Sequence, residues 1–180
     1  MGKKSWETLS VDVKYDNPWI RVEEHQVINP AGNPGIYGTV TFKNRAVAVL
    51  PLFDNGDTLI VGQTRYPLSQ YHWELPMGGG PENESLLLSA RRELEEETGY
   101  LAGSWEQILE THLSNSVTQE YGVTFVAKNL TEGVMSLEDT EDITVKRLPF
   151  EDVFNMVMSG EITDAMTIAS VMKARLLGIA

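Results

Sequence analysis

The chain contains no cysteine, which excludes disulfides, thiolate metal sites and a cysteine nucleophile. Long apolar runs are missing too. Nothing approaches the roughly 18 to 20 apolar residues that span a bilayer, and the opening MGKKSWETLS has no apolar segment after its lysines. A soluble, cytoplasmic protein is expected. Positive charge is scarce, with 14 Lys and Arg against 26 Asp and Glu and a formal net charge of -12. A nucleic-acid surface needs clustered cations to replace phosphate counterions, so such a partner is disfavoured. If the substrate is itself anionic, something positive must stand between it and the chain, and divalent cations are the obvious candidate. Internal repeats and low-complexity tracts are also absent.

What is present is enough for one substantial core: 180 residues, 42% of them hydrophobic, favour one domain with a small N-terminal extension. The segment WIRVEEHQVI from Trp19 to Ile28 reads as a strand, NPAGNPG at 29–35 as a turn, and IYGTVTF from Ile36 as a second strand, together an antiparallel hairpin. The continuous apolar run AVAVLPL at 46–52 suits a strand buried on both faces, and DNGD turns it into TLIVGQTRY as a second hairpin. YHWELPMGGG reads as a short aromatic strand breaking into a glycine loop. Strands follow at 104–112 and 121–128 around the polar loop SNSVTQE, then the acidic loop MSLEDTED, the strand ITVKRLPF and two helical segments, each with glycine near its end. Strands on both sides of a central helix, with terminal helices, predict an α+β or layered α/β/α domain with a mixed sheet.

The central helix lies in GGGPENESLLLSARRELEEETGY, residues 78–100. Asn83 suits the N-cap, Leu86, Leu87, Ala90 and Leu94 form an apolar stripe, and Gly99 sits where a left-handed C-cap would. Four glutamates crowd its end. At about 100° per residue, Glu93, Glu96 and Glu97 share one sector while Glu95 points well away. That sector adjoins the apolar stripe, so these like charges are partly buried and need a cation; oxygen ligands suit Mg²⁺ or Mn²⁺. A solvated acidic face is the plainer alternative. Gly78 to Gly80 either make a flexible turn or let backbone approach phosphate or metal closely.

These residues carry a family resemblance. Gly78, Glu84, Arg92-Glu93-Leu94, Glu96-Glu97 and Gly99, at their spacings over 23 residues, resemble the Nudix box, the signature of the Nudix hydrolases. Tyr100 stands where the family usually has an aliphatic residue. The resemblance implies cleavage of a diphosphate linked to another moiety, usually with a nucleoside on one side. It implies Glu93, Glu96 and Glu97 as metal ligands, the Met77 carbonyl completing the site, and Arg92 orienting the carboxylates, paired with Glu84. Metal ions would neutralise the phosphates and bind the attacking water. The fold implied is the Nudix α/β/α sandwich with a mixed sheet over 46–180, preceded by a β-rich dimerisation region at 1–45.

Beyond the box, the chain resembles ADP-ribose and nucleoside diphosphate sugar pyrophosphatases. WELPMGG, with Glu74 as a substrate contact, is similar to their lead-in, and QTRY supplies Arg65 as the phosphate-binding arginine. The loop SLEDTEDITV is similar to the one carrying the catalytic base, with Glu141 matching best and Glu138 and Asp139 next. In this branch the N-terminal portion crosses to the other subunit of a homodimer; Trp19 and Tyr37 would stack on the nucleobase or else belong to the core. Glu120 is a candidate contact to sugar or metal. The family's Ser-Pro-Gly context for ADP-ribose specificity is here Ser114-Asn115-Ser116, which points to broader action on nucleoside diphosphate sugars, ADP-ribose and GDP-mannose types included. A 5′-RNA or nucleoside triphosphate pyrophosphohydrolase, and a non-catalytic nucleotide-sugar sensor, are the alternatives.

Overall fold

In a computed structural model, residues 5–137 and 142–180 are described. They form β1 (Glu7–Asp16), β2 (Ile20–Ile28), β3 (Pro34–Phe42), β4 (Asn44–Pro51), β5 (Asp57–Arg65), β6 (Gln70–Glu74), β7 (Met77–Pro81), α1 (Leu86–Thr98), β8 (Tyr100–His112), β9 (Tyr121–Glu132), β10 (Thr144–Pro149), α2 (Phe150–Ser159) and α3 (Ala165–Leu177). Two compact units result. One runs to Asn44 and includes His112–Glu120; the other comprises Arg45–Thr111 and Tyr121–Ala180.

The first unit is an antiparallel sheet in the order β1-β2-β3. The expected hairpin is present as β2 and β3, in register from Ile20 opposite Phe42 to Ile28 opposite Pro34. Its turn is closed by the Asn29 side chain, which accepts from the backbone N–H of Ala31 and Asn33, while Gly32 takes a φ of 90°. Strand β1 was not anticipated, although VDVKY alternates. Two register shifts interrupt its pairing with β2. Residues of the 112–120 segment lie along β3: Val40 N–H donates to the Val117 carbonyl, and the Gln119 amide pairs with both backbone groups of Phe42.

In the second unit, period-two alternation divides β4 between two cores. Val47 and Val49 meet Ala90 and Leu94 of α1 together with Val123 and Phe125 of β9. Leu50 and Leu52 belong with Ile60, Val126, Phe150 and Val153 of α2, and Val171 and Ala174 of α3. Helices therefore cover both faces, the α/β/α layering expected. Each fully buried Val or Leu contributes about 1.5–3 kcal/mol.

Three local expectations are corrected. Strands β4 and β5 do not form a hairpin: β4 lies in the sheet β7-β4-β9-β8, paired parallel with β9, and β5 in the sheet β10-β5-β6. The turn between them is tight, with Phe53 N–H donating to the Asp57 carbonyl at 3.0 Å, and its flanks meet at an isolated bridge between Leu52 and Thr58 and not in a ladder. The glycine segment is a strand, β7, rather than a loop. The cap of α1 is Ser85, whose side chain accepts from Leu88 N–H, and not Asn83; Gly99 does close the helix at φ 71°. Among the described residues no helix is long and apolar enough to cross a membrane.

Candidate active site

Docking of Ala90 and Leu94 fixes the rotation of α1 and turns the residues beside them inward. Glu93 and Glu97 are consequently 6% and 1% exposed, while Glu95 and Glu96 are half-buried. Glu95 is thus more covered than a residue on an open helix face. Strand β7 packs directly on this edge. Met77 N–H donates to Glu97 Oε2 at 2.9 Å, and a side chain at Gly78 would fall on the Glu93 carboxylate. A Cβ at Gly80 would stand 2.6 Å from Ser89 Oγ. Glycine is needed here so that a strand can touch a helix bearing buried carboxylates.

Arg92 supplies positive charge to that edge. Its Nη1 lies 2.9 Å from Glu93 Oε1 and 3.0 Å from Glu96 Oε2, and its Nη2 donates to the Gly79 carbonyl at 2.9 Å. Partial burial works to lower the Arg92 pKa, but Glu93 and Glu96 outweigh it and the net shift is upward. Glu84, expected as its partner, forms the longest of the Arg92 ion pairs, at 4.0 Å, and also accepts from Ser89 Oγ at 2.5 Å. The reason is reach: Glu93 and Glu96 stand on the same helix as Arg92, and Glu96 is one turn on.

Arg65, at the end of β5, is held by Glu74 of β6, four residues along from its register partner Gln70 in the antiparallel pair. Arg65 Nε donates to both Glu74 oxygens at 2.9 and 3.1 Å, and Nη2 donates to Oε2. Donation to the Glu74 carboxylate raises the Arg65 pKa. Glu74 is 3% exposed; it positions Arg65 and lies in the wall of a neighbouring cavity with Arg65, His72 and Asp164. Arg65 Nη1 makes no hydrogen bond within the described residues and stays available. A cavity of about 380 Å³ brings together Arg65, Tyr66, Met77, Gly78 and Glu97.

The remaining expected residues lie elsewhere. Trp19 is 67% exposed just before β2. Tyr37 meets Trp6 edge-on, ring centroids 5.1 Å apart, and donates to the Ser116 carbonyl at 2.6 Å. Trp19 precedes the Ile20–Phe42 end of the β2–β3 pair whereas Tyr37 lies opposite His25, five registers further on, so they do not form one aromatic clamp within the chain. Glu120 is half-buried at the end of the 112–120 segment. Glu141, with Glu138 and Asp139, lies outside the described residues. Arg45 was not foreseen. Its Nη2 donates to the carbonyls of Pro81 and Glu82 at 2.9 and 3.4 Å, and to that of Glu84, anchoring the turn that opens α1. Nothing local in NRAVAV signals this, because the three carbonyls arrive from a distant segment.

The donor set at the α1 edge fits a hard divalent cation: oxygen ligands only, two of them on buried carboxylates, of which Glu97 lines the cavity. Among the described residues no group of three or more acidic or histidine side chains is already gathered for a metal. Arg92 meets part of the charge compensation that the sequence assigned wholly to metal.

Comparison with known proteins completes the description. A NUDIX domain model matches residues 42–168, and a model for the nucleoside diphosphate sugar hydrolase N-terminal domain matches residues 6–40. An ADP-ribose pyrophosphatase of Bacillus subtilis (strain 168) is 36% identical over 124 residues, 68% of this chain and 67% of the relative. A GDP-mannose pyrophosphatase of Yersinia enterocolitica serotype O:8 / biotype 1B is 32% identical over 148 residues, 76% of this chain and 75% of the relative. The crystal structure of an ADP compounds hydrolase superposes with a TM-score of 0.88 at 17% identity, covering 98% of this chain and 96% of its own, a likeness of fold.

Proposed function

The chain belongs to the NUDIX domain family, and on that premise we propose that it hydrolyses the diphosphate bond of nucleoside diphosphate sugars. The products are a nucleoside monophosphate and a sugar phosphate. One observation carries the reading: the buried Glu97 carboxylate of α1 shares a cavity with Arg65, an arginine held at two of its nitrogens and open at the third. A diphosphate needs both a cation site and a fixed guanidinium.

Glu93, Glu96 and Glu97, with the Met77 carbonyl, would hold a divalent ion, Mg²⁺ or Mn²⁺. When bound, the ion neutralises phosphate charge and acidifies water. Arg65 binds a phosphoryl oxygen, and Glu74 fixes the plane in which it does so. Arg92 orients Glu93 and Glu96, and the Met77 N–H holds Glu97. Glu141 takes the proton from the attacking water in this proposal. The N-terminal region, 1–45 against a catalytic 46–180, is the proposed dimerisation element, supported by the half-exposed apolar side chains of β1. Across that dimer Trp19 and Tyr37 are the nucleobase platforms, and Glu120 is a further substrate contact. A cytoplasmic location goes with this nucleotide-derived substrate class.

The test is a panel of ADP-ribose, GDP-mannose, UDP-glucose, deoxynucleoside triphosphates and triphosphorylated RNA, with Mg²⁺ and product identification. ADP-ribose should give AMP and ribose 5-phosphate, and GDP-mannose should give GMP and mannose 1-phosphate. A preference for triphosphates or RNA overturns the substrate class, and binding without turnover across the panel favours a sensor.

A further inference from the structure

A second cavity, of about 340 Å³, adjoins the first and shares Arg65 and Pro67 with it. Its other walls are Leu68, His72 and Glu74, and from the start of α3, Thr163, Asp164 and Ala165. We propose that this cavity holds the distal sugar of the substrate, the ring joined to the phosphate that Arg65 binds. The inference rests on the preceding reading and names the part of the substrate that the first cavity leaves unplaced.

Charge decides against a second phosphate. Arg65 is already offset by Glu74, and Asp164 adds a further negative charge near it, so the walls carry two carboxylates against one guanidinium. Hydroxyl groups suit such walls, since a carboxylate accepts from them without bringing like charges together. Asp164 spends Oδ1 on the Thr167 N–H at 2.7 Å, the cap of α3; Oδ2 makes no hydrogen bond within the described residues. The Thr163 hydroxyl stands 3.2 Å from His72 Nδ1, and His72 Nε2 is without a partner. Pro67, Leu68 and Ala165 give the apolar surface that the C–H face of a sugar ring covers. Pockets for small ligands run from roughly 300 to 1,000 Å³, so this one suits a single ring and not a second nucleoside. Arg65, common to both cavities, stands where the phosphate would join the two parts.

The test compares ADP-ribose with ADP carrying a methyl ester on its terminal phosphate, which keeps nucleoside and diphosphate but lacks the sugar. Leu68 is 58% exposed, so Leu68→Trp fills the cavity without disturbing the core. The ratio of KM for ADP-ribose to KM for the methyl ester should rise by roughly tenfold, the change that loss of one ordinary contact region produces. Thr163→Val, which removes only a hydroxyl, should move the ratio the same way by a few-fold. An unchanged ratio in both variants, whether both KM values rise together or neither moves, overturns the inference. Absence of turnover of ADP-ribose and of the other nucleoside diphosphate sugars by the unaltered protein instead overturns the proposed function.

Discussion

The β1–β3 sheet and the strands β4, β5 and β9 draw on the same residues, valine, isoleucine, threonine and aromatics, yet their fates differ. Within β1, β2 and β3 only Val27 is buried, whereas Val47–Pro51, Thr58–Gly62 and Gly122–Ala127 are buried without interruption. The difference lies in pattern. Continuous apolar runs are stable only between two covering layers, and α1, α2 and α3 provide these. Alternating strands such as VDVKY leave one face apolar; Leu9, Val11, Val13 and Tyr15 are each about half exposed. Groups that need to be fixed and desolvated, such as Glu93 and Glu97, lie in the covered unit, and the open sheet keeps a half-exposed apolar face.

The largest effect expected from testing this contrast is at Glu97. Even partners one shell beyond a metal ligand are typically worth 10–100-fold, so Glu97→Gln should lower kcat by more than about 100-fold with an unchanged circular dichroism spectrum. Full turnover would remove Glu97 from the site. Next is the open sheet: Leu9→Lys combined with Val13→Lys should convert a dimer to a monomer in sedimentation while hydrogen exchange in β4 and β9 stays protected. A monomeric unaltered protein would remove the proposed role of β1. Glu74→Gln should follow, loosening Arg65. Charge-assisted hydrogen bonds are worth about 1.5–3 kcal/mol, so KM should rise on the order of tenfold or more, beyond the change in kcat; an effect confined to kcat would argue against phosphate binding by Arg65.

The smallest effect concerns acid. Hydrogen bonds from Lys43 and then Arg21 hold the Asp16 carboxyl below its ordinary value. A lowered folded-state pKa contributes stability above the unfolded value and loses it as pH falls through the folded one. Asp16 is at the surface, so the contribution is small. Hydrogen-exchange protection in β1 and β2, taken relative to the intrinsic exchange rate at each pH, should fall as pH drops below the ordinary carboxyl range, and Asp16→Asn should flatten that dependence. Identical profiles would show that this surface network does not hold the open sheet.

Helix α1 was legible because its evidence is local: Leu86, Leu87, Ala90 and Leu94 repeat at helical spacing, and Gly99 is the residue that a left-handed cap requires. Its start was misplaced by two residues because Asn83 and Ser85 are both good caps, and the seating of the first turn chose between them. The β4–β5 hairpin failed for a different reason. A tight turn brings chain ends together, but it does not oblige them to pair when a distant strand, β9, offers β4 a full parallel ladder. Arg92 lying closer to Glu93 and Glu96 than to Glu84, and Glu74 pairing with Arg65, are also choices among several reachable partners.

The order of residues by itself determined the helix, its inward edge of carboxylates, the glycines ahead of it and the alternation that separates open from covered strands. Periodicity and capping act over a few residues and need no partner. Tertiary structure alone decided which charges meet, that β7 lies against α1, that Arg45 anchors the turn opening the helix, and that Arg65 stands between two cavities. Those outcomes depend on segments far apart in the chain, and only packing sets the distances at which their side chains interact.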